Sequence, residues 1–163
     1  DLHREKVLKM CLIHNICSVY AKERTPYDSL LVGRKSERER RKILAKWVRY
    51  PMEEKRKLFV QQYKEQWKAF QKLTLPLQQK TRNELRSLWK EFNENTTKEA
   101  RFVNQMYVME LLLQALLYWK EDKKFPVKPW WEWAFEFSDH MLNLQFMDEL
   151  KRRFITSSVQ RRK

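Results

Sequence analysis

The stretch that decides the fold reads Thr96-Thr97-Lys98-Glu99-Ala100-Arg101-Phe102-Val103-Asn104-Gln105-Met106-Tyr107 and continues through Glu110-Leu111 and Leu113-Gln114-Ala115. Thr96 and Glu99 have the spacing of a capping box, in which two side chains bond each other's backbone N–H groups at the start of a helix. The apolar residues that follow recur at helical intervals, so the stretch predicts a long helix from about Thr96 to about Trp119. Glu110 and Gln114 are expected to hydrogen-bond within the core.

A second stretch, near the start of the chain, places one histidine in an apolar setting. It reads Leu12-Ile13-His14-Asn15-Ile16-Cys17-Ser18 and is followed by Lys22-Glu23-Arg24-Thr25-Pro26. The run from Val7 to Tyr20 is apolar on nearly every face, which predicts a buried helix from about Leu2 to Tyr20. A lone histidine in such a helix is more often a hydrogen-bonded core residue than a metal ligand.

These two stretches, together with Leu88-Trp89-Lys90-Glu91-Phe92, carry a family resemblance. They resemble the HD-domain phosphohydrolases and, within them, the YfbR-like 5'-deoxynucleotidase branch, in a degenerate form. The resemblance covers residues 1–25 and 75–154 and implies an all-α, HD-domain-like helical bundle. The family's earlier helix, which supplies another histidine, has no counterpart before Asp1, so the HD-like domain is expected to be N-terminally incomplete.

The resemblance also implies where the active-site residues of the family would stand. His14 matches a histidine ligand, whereas Asn15 and Tyr107 stand where the family has aspartate ligands. Ser18 replaces the catalytic glutamate, and Glu23 only loosely replaces a further aspartate. Because an amide is a poor substitute for a carboxylate on a divalent ion, the resemblance implies a pseudoenzyme with no catalytic residues, no metal and no cofactor.

Composition favours one helical domain in a reducing compartment. With 163 residues and 42% hydrophobic content the chain fits a single domain, predicted over 1–163 and built from about six helices. The one glycine, Gly33, excludes a glycine-rich phosphate loop and makes a turn-rich β fold improbable. Cys11 and Cys17 would lie about 9 Å apart along one helix, too far for a disulfide. No apolar run reaches the roughly 18 residues of a membrane span, and no signal peptide is visible.

Turn-forming residues and capping patterns predict the remaining boundaries. Residues 22–35 contain Pro26 and Gly33 and predict a loop. Ser36 and Glu39 have capping-box spacing and open the next helix. Pro51 marks a further boundary, and a last helix is predicted from about 143 to 156.

Positive charge is concentrated in two places. The formal net charge is +14, and residues 34–72, predicted to be a basic helical insertion, hold 14 Lys and Arg against 5 Glu. Residues 151–163 form a basic C-terminal tail. The charge run has two readings, a solvated helix face or a surface that contacts RNA phosphates without reading bases. The predicted RNA contacts are Arg34, Lys35, Arg38, Arg40, Arg41, Lys42, Arg49, Lys55, Arg56, Lys57, Arg152, Arg153, Arg161, Arg162 and Lys163.

Aromatic residues form two groups. Phe59, Tyr63, Trp67 and Phe70 lie on one stripe of a helix, which favours core packing over a binding site. Trp130, Trp131 and Trp133 cannot all face one core from a single helix. Trp131 and Phe135 are predicted to be core, and Trp130 or Trp133 to contact a partner.

Three functions are compatible with these patterns. The first is a catalytically inactive HD-like subunit of a large ribonucleoprotein, such as the mitochondrial ribosome, which contacts RNA or neighbouring proteins. The second is an active metal-dependent 5'-nucleotidase with rearranged ligands. The third is an interaction subunit of another mitochondrial multiprotein complex. The expected location is mitochondrial, with the cytoplasm as the alternative.

Overall fold

The described part of the chain is helical, in agreement with the predicted all-α fold. The structure is a computed structural model, and it describes residues 1–22, 25, 28–31, 33, 36–45 and 52–156. Within those ranges there are helices and no strand, and none of these helices is both long and apolar enough to cross a membrane. The elements are α1 (Arg4–Ile13), a 3-10 helix (Ile16–Val19), α2 (Asp28–Leu31), α3 (Glu37–Ala45), α4 (Met52–Thr74), α5 (Gln79–Glu94), α6 (Lys98–Glu121), α7 (Lys128–Phe137), α8 (Met141–Lys151) and a π-helical turn (Arg152–Thr156).

Packing divides the chain into two compact units. Unit 1 comprises Asp1–Thr25 and Val48–Asn104, and unit 2 comprises Pro26–Trp47 and Gln105–Lys163. The predicted insertion, 34–72, contributes residues to both units. The single HD-like domain over 1–163, with its insertion and its tail at 151–163, stays a prediction.

The core of unit 1 is built around Trp89 on α5. Its side chain is fully buried, and the rings of Tyr63, Trp67 and Phe70 on α4 lie 5.3, 5.4 and 5.2 Å from it. Rings at these separations gain favourable contacts beyond simple area burial. The predicted aromatic stripe is therefore core at three positions, whereas Phe59 is 52% exposed because it lies before α4 reaches the core.

Two arginines of α5 fix the end of α4. The last carbonyls of a helix have no partner within the helix and need donors from elsewhere. Arg86 donates to the Gln71 carbonyl and to the Thr74 hydroxyl, each at 2.9 Å, and Arg82 donates to the Leu75 carbonyl at 2.7 Å. These bonds hold the α4–α5 corner, and α1 packs against the same α5 helix.

Unit 2 has its own core, formed by the later part of α6 with α7 and α8. The buried members are Val108, Met109, Leu112, Leu116, Ala134, Met147 and Leu150. On α6 these residues recur at steps of three and four, as expected for the buried face of a helix. Glu110 and Gln114 lie off that face and are exposed, so the prediction that they hydrogen-bond within the core is wrong.

The first helix is shorter and more exposed than predicted. The α-helix ends at Ile13 instead of continuing to Tyr20, and a 3-10 helix follows. Met10, Ile13 and Cys17 face the core, whereas Leu8 and Leu12 are 65% and 76% exposed. The prediction of a buried helix is therefore correct for one face only.

Two further boundaries differ from the sequence predictions, and one agrees. The 22–35 segment, predicted as a loop, contains the four-residue helix α2, which accounts for part of the difference between the predicted six helices and the eight α-helices of the described residues. α8 begins at Met141, capped by His140, whose Nδ1 accepts from the Leu142 N–H at 3.3 Å. The capping box at α3 is confirmed, since the Ser36 hydroxyl accepts from the Glu39 N–H at 3.2 Å.

Candidate functional site

His14 lies where α1 ends, and its ring is held from two sides. Nδ1 lies 2.7 Å from the Cys11 carbonyl oxygen, and the ring meets Phe92 edge-on at 5.8 Å between centroids. Because a carbonyl oxygen only accepts, this contact makes Nδ1 the donor. The unprotonated nitrogen of the neutral ring is then Nε2, and histidines that bind metals are commonly oriented by such a bond.

Asn15 and Ser18 belong to the same turn of chain. Asn15 caps the 3-10 helix with φ −111° and ψ −1°, and its carbonyl accepts from the Ser18 N–H at 3.0 Å. Asn15 is half-buried and Ser18 is exposed. His14, Asn15 and Ser18 therefore lie within one turn of unit 1. Glu23 lies outside the described residues.

Tyr107 lies on α6 in unit 2. Its side chain is half-buried and packs against the apolar core of that unit. A phenol in this setting contributes packing area more than charge. The position where the family has an aspartate is thus occupied here by a residue that supports the core.

The side chains at the matched positions do not fit a divalent metal centre. Hard and borderline divalent ions require several imidazole or carboxylate ligands. Asn15, Ser18 and Tyr107 offer an amide, a hydroxyl and a phenol, which are neutral in their ordinary forms. Over the described ranges, no group of three or more His, Cys, Asp or Glu side chains is arranged to hold a metal ion.

Two adjacent amides, which the sequence did not single out for a role, connect α6 to its neighbours. Asn104 donates through Nδ2 to the Phe92 carbonyl at 2.8 Å within unit 1. Gln105, which is buried, donates to Asp139 Oδ1 at 2.5 Å and accepts from Asn143 Nδ2 at 2.5 Å within unit 2. Buried amides are costly unless they are bonded, so these pairs specify how α6 packs in each unit. Their place inside the stretch that carries the resemblance was the only signal for them in the sequence.

The predicted RNA contacts are distributed over both units. Exposed members are Arg38, Arg40 and Lys42 on α3, Arg56 and Lys57 on α4, and Arg152 and Arg153 in the π-helical turn, while Lys55 is half-buried. The others lie outside the described residues, or only their backbone is described: Arg34, Lys35, Arg41, Arg49, Arg161, Arg162 and Lys163.

Several of these cations have carboxylate neighbours. Lys57 pairs with Glu53 at 3.0 Å and with Glu54 at 3.6 Å. Arg152 and Arg153 both pair with Glu149, at 2.9 and 2.7 Å. Exposed pairs of this kind are weak, so phosphates can compete for the same cations. The RNA-contacting role of these residues stays a prediction.

The tryptophans of α7 pack on the core of unit 2. Trp130, Trp131 and Trp133 are all half-buried against it, and the rings of Trp130 and Trp133 lie 5.8 Å apart. Phe135 is 50% exposed, so its predicted place in the core is wrong: it lies about 100° around α7 from the buried Ala134 and points away from the core. A partner contact by Trp130 or Trp133 stays a prediction.

Comparison with known proteins identifies the family. The family described as HD domain matches residues 1–143. The mouse (Mus musculus) 5'-deoxynucleotidase HDDC2 is 24% identical over 117 residues, which is 72% of this chain and 45% of that protein. The chain thus spans less than half the length of this curated relative. Both matches agree with the resemblance carried by the stretches around His14 and Tyr107, and the chain belongs to the HD-domain family, related to its 5'-deoxynucleotidase branch.

Proposed function

We propose that this protein is a catalytically inactive HD-domain subunit of a large ribonucleoprotein, such as the mitochondrial ribosome, in which it contacts RNA and neighbouring proteins. The observation that carries the loss of activity is that Asn15 and Tyr107 stand where the resemblance places anionic ligands, and that Ser18 stands where it places a catalytic glutamate. Replacing anionic ligands by neutral groups leaves the charge of a bound divalent ion uncompensated, which lowers its affinity.

Charge supports the choice of an RNA-containing partner. The net charge of +14 exceeds what an intracellular globular domain needs for solubility, and cations of α3 and α4 are exposed. Lysine and arginine bind RNA backbones chiefly through phosphate contacts and the release of counterions. Mitochondrial location is part of the proposal, with the cytoplasm as the alternative.

Metal content and turnover test the loss of activity. Purified protein would be incubated with Mn²⁺ or Co²⁺, freed of excess metal, and assayed for bound ion and for phosphate release from deoxynucleoside monophosphates. We expect no stoichiometric metal and no turnover above the His14→Ala variant. Stoichiometric metal with turnover abolished by His14→Ala, but retained in the control His140→Ala, would contradict the proposal.

One observation favours a second candidate, an active metal-dependent 5'-nucleotidase. The mouse relative carries the name of an enzyme, and His14, which matches a family ligand, has its ring oriented by the contact of Nδ1 with the Cys11 carbonyl. The same assay decides between the two candidates, because only this one requires turnover that depends on both metal and His14.

A measurement of RNA binding distinguishes the first proposal from the third candidate, an interaction subunit of another multiprotein complex. The exposed side chains of Leu8 and Leu12 would suit contact with a protein partner in such a complex. A fluorescent RNA stem-loop would be titrated with protein by anisotropy at increasing KCl. We expect affinity to fall steeply with salt, and to fall further in Arg38→Gln/Lys42→Gln than in the charge-matched control Lys80→Gln/Lys120→Gln. Absence of RNA binding at low salt would refute the RNA-contacting role.

A further inference from the structure

The outward face of α4 carries a row of long polar side chains. Lys57, Gln61, Lys64, Lys68 and Lys72 are spaced at i, i+4, i+7, i+11 and i+15, so they lie on one side of the helix. All five are exposed. Lys64, Lys68 and Lys72 are called here the α4 lysine face, and none of them is among the contacts predicted from the sequence.

The opposite side of the helix fixes this face in place. Tyr63, Trp67 and Phe70 pack around the buried Trp89, and Arg86 bonds the last turn of α4. A lysine row on a helix anchored in this way has its α-carbons at fixed spacing, while the flexible stems let each ammonium move around that point. Lys64 and Lys72 are eight residues apart, which is about 12 Å along the axis at 1.5 Å per residue.

The lysines of this face differ from other lysines of unit 1 in their ion-pair partners. Lys6 pairs with Glu91 at 2.6 Å, and Lys9 with Glu84 at 2.5 Å, so both join elements of the fold. Lys64 and Lys68 have no hydrogen bond or ion pair to any described residue. Lys72 lies at the end of the row, exposed, with its Nζ 3.9 Å from the centre of the Tyr20 ring.

We propose that the α4 lysine face binds the phosphate backbone of RNA. The inference rests on the proposed RNA-contacting function and names a surface for it. The chemistry is contact between ammonium groups and successive phosphates, without base readout, because the cations of the face are lysines, which bind phosphate as point charges.

The composition of the face favours RNA over a membrane surface. An interfacial helix needs a broad apolar face beside its cations, and on the other side of α4 Tyr63, Trp67 and Phe70 are packed in the core, with Phe59 exposed beyond them. Between the lysines stand Gln61 and Glu65, whose Oε1 accepts from Gln61 Nε2 at 3.1 Å, and Val60 lies at the edge. Val60 alone offers too little apolar area for insertion. Lysines with flexible stems and no internal partner suit phosphates at varying positions.

The test compares two double variants of the whole chain. Lys64→Gln/Lys68→Gln removes the two lysines without a partner and leaves Lys72 on Tyr20, while Lys80→Gln/Lys120→Gln removes two exposed lysines from other helices. Circular dichroism and thermal unfolding establish that each variant is folded. Binding of a fluorescent RNA stem-loop is measured by anisotropy from low to moderate KCl, with anionic phosphatidylserine vesicles as a second probe.

The expected result is a weaker complex and a shallower salt dependence for Lys64→Gln/Lys68→Gln alone. Two lost phosphate contacts should lower the slope of log K against log [salt] by about 1.5 and weaken binding at low salt on the order of tenfold. Equal loss in both variants, or loss of vesicle binding only, would overturn the inference while leaving the RNA function in place. Failure of the unaltered protein to bind RNA would overturn both.

Discussion

Glu99 shows how a single residue can hold a distant element. The sequence pairs it with Thr96 in a capping box, but in the structure its Oε1 accepts from the backbone N–H of His3 at 3.0 Å. That bond satisfies a free donor at the start of α1 and lowers the pKa of the Glu99 carboxyl below its ordinary value. The partner lies 96 residues away, so no local pattern could have revealed it.

Acid stability should depend on this carboxylate. Because the pKa is lower in the folded than in the unfolded protein, Glu99 stabilises the fold above its unfolded pKa, and this stabilisation is lost as pH falls through the folded pKa. We expect Glu99→Gln to lower stability at pH 6 and to have little effect near pH 2, measured by urea unfolding across that range.

The control for that experiment is Glu110→Gln, which removes an exposed carboxylate from the same helix. Its stability difference from the unaltered protein should stay small at every pH. An equal pH dependence of stability in the two variants would show that the bond from His3 to Glu99 does not determine how the protein loses stability in acid.

The N-terminal caps of α3 and α6 show which helix starts a local sequence pattern predicts and which it misplaces. Ser36 and Glu39 form the predicted capping box of α3 because both partners lie within one turn. At α6 the same pattern is displaced by one residue: the Thr97 hydroxyl accepts from the Ala100 N–H at 3.2 Å. Thr97 also donates to Glu91 at 2.5 Å, a contact with α5 that a pattern of neighbours does not contain.

Replacing the two threonines separately tests which one caps α6. Thr97→Ala removes the acceptor for a free helix N–H and should cost about 1 kcal/mol of unfolding free energy. Thr96→Ala alters an exposed side chain and should stay within about 0.5 kcal/mol. Chemical denaturation of both variants measures the difference, and a larger loss in Thr96→Ala would favour the start predicted from the sequence.

At the scale of the whole molecule, the helical fold and the HD-domain family were predictable, and the distribution of buried surface was not. Met10, Phe70 and Leu112 are buried as their spacing predicts, whereas Leu8, Leu12 and Phe135 are equally apolar and exposed. Periodicity identifies an apolar face, but which face is covered depends on the packing of distant elements. The candidate site was inferred only through the family resemblance, since nothing about His14 by itself distinguishes a ligand from a core residue.

Net charge gives a prediction at the same scale. A charge of +14 on 163 residues repels itself in the folded state, and salt screens this repulsion as the Debye length falls from about 30 Å at 0.01 M to about 8 Å at 0.15 M. We expect the thermal midpoint to rise between these concentrations of NaCl. The thermal midpoint of a variant with Lys64, Lys68, Lys80 and Lys120 changed to Gln should rise less over the same range. A fall in the thermal midpoint of the unaltered protein would show that its ion pairs outweigh the repulsion.

The interleaving of the two units has a consequence for synthesis. Unit 1 needs residues 1–25 together with 48–104, and unit 2 takes up the chain on both sides of that second segment. At about 5–20 residues per second, residue 25 is made about 4 to 16 s before residue 104. The apolar side chains Met10, Ile13 and Cys17 therefore leave the synthesising ribosome seconds before α4 and α5 are complete to cover them. During this interval the apolar face of α1 is open to chaperones and to aggregation.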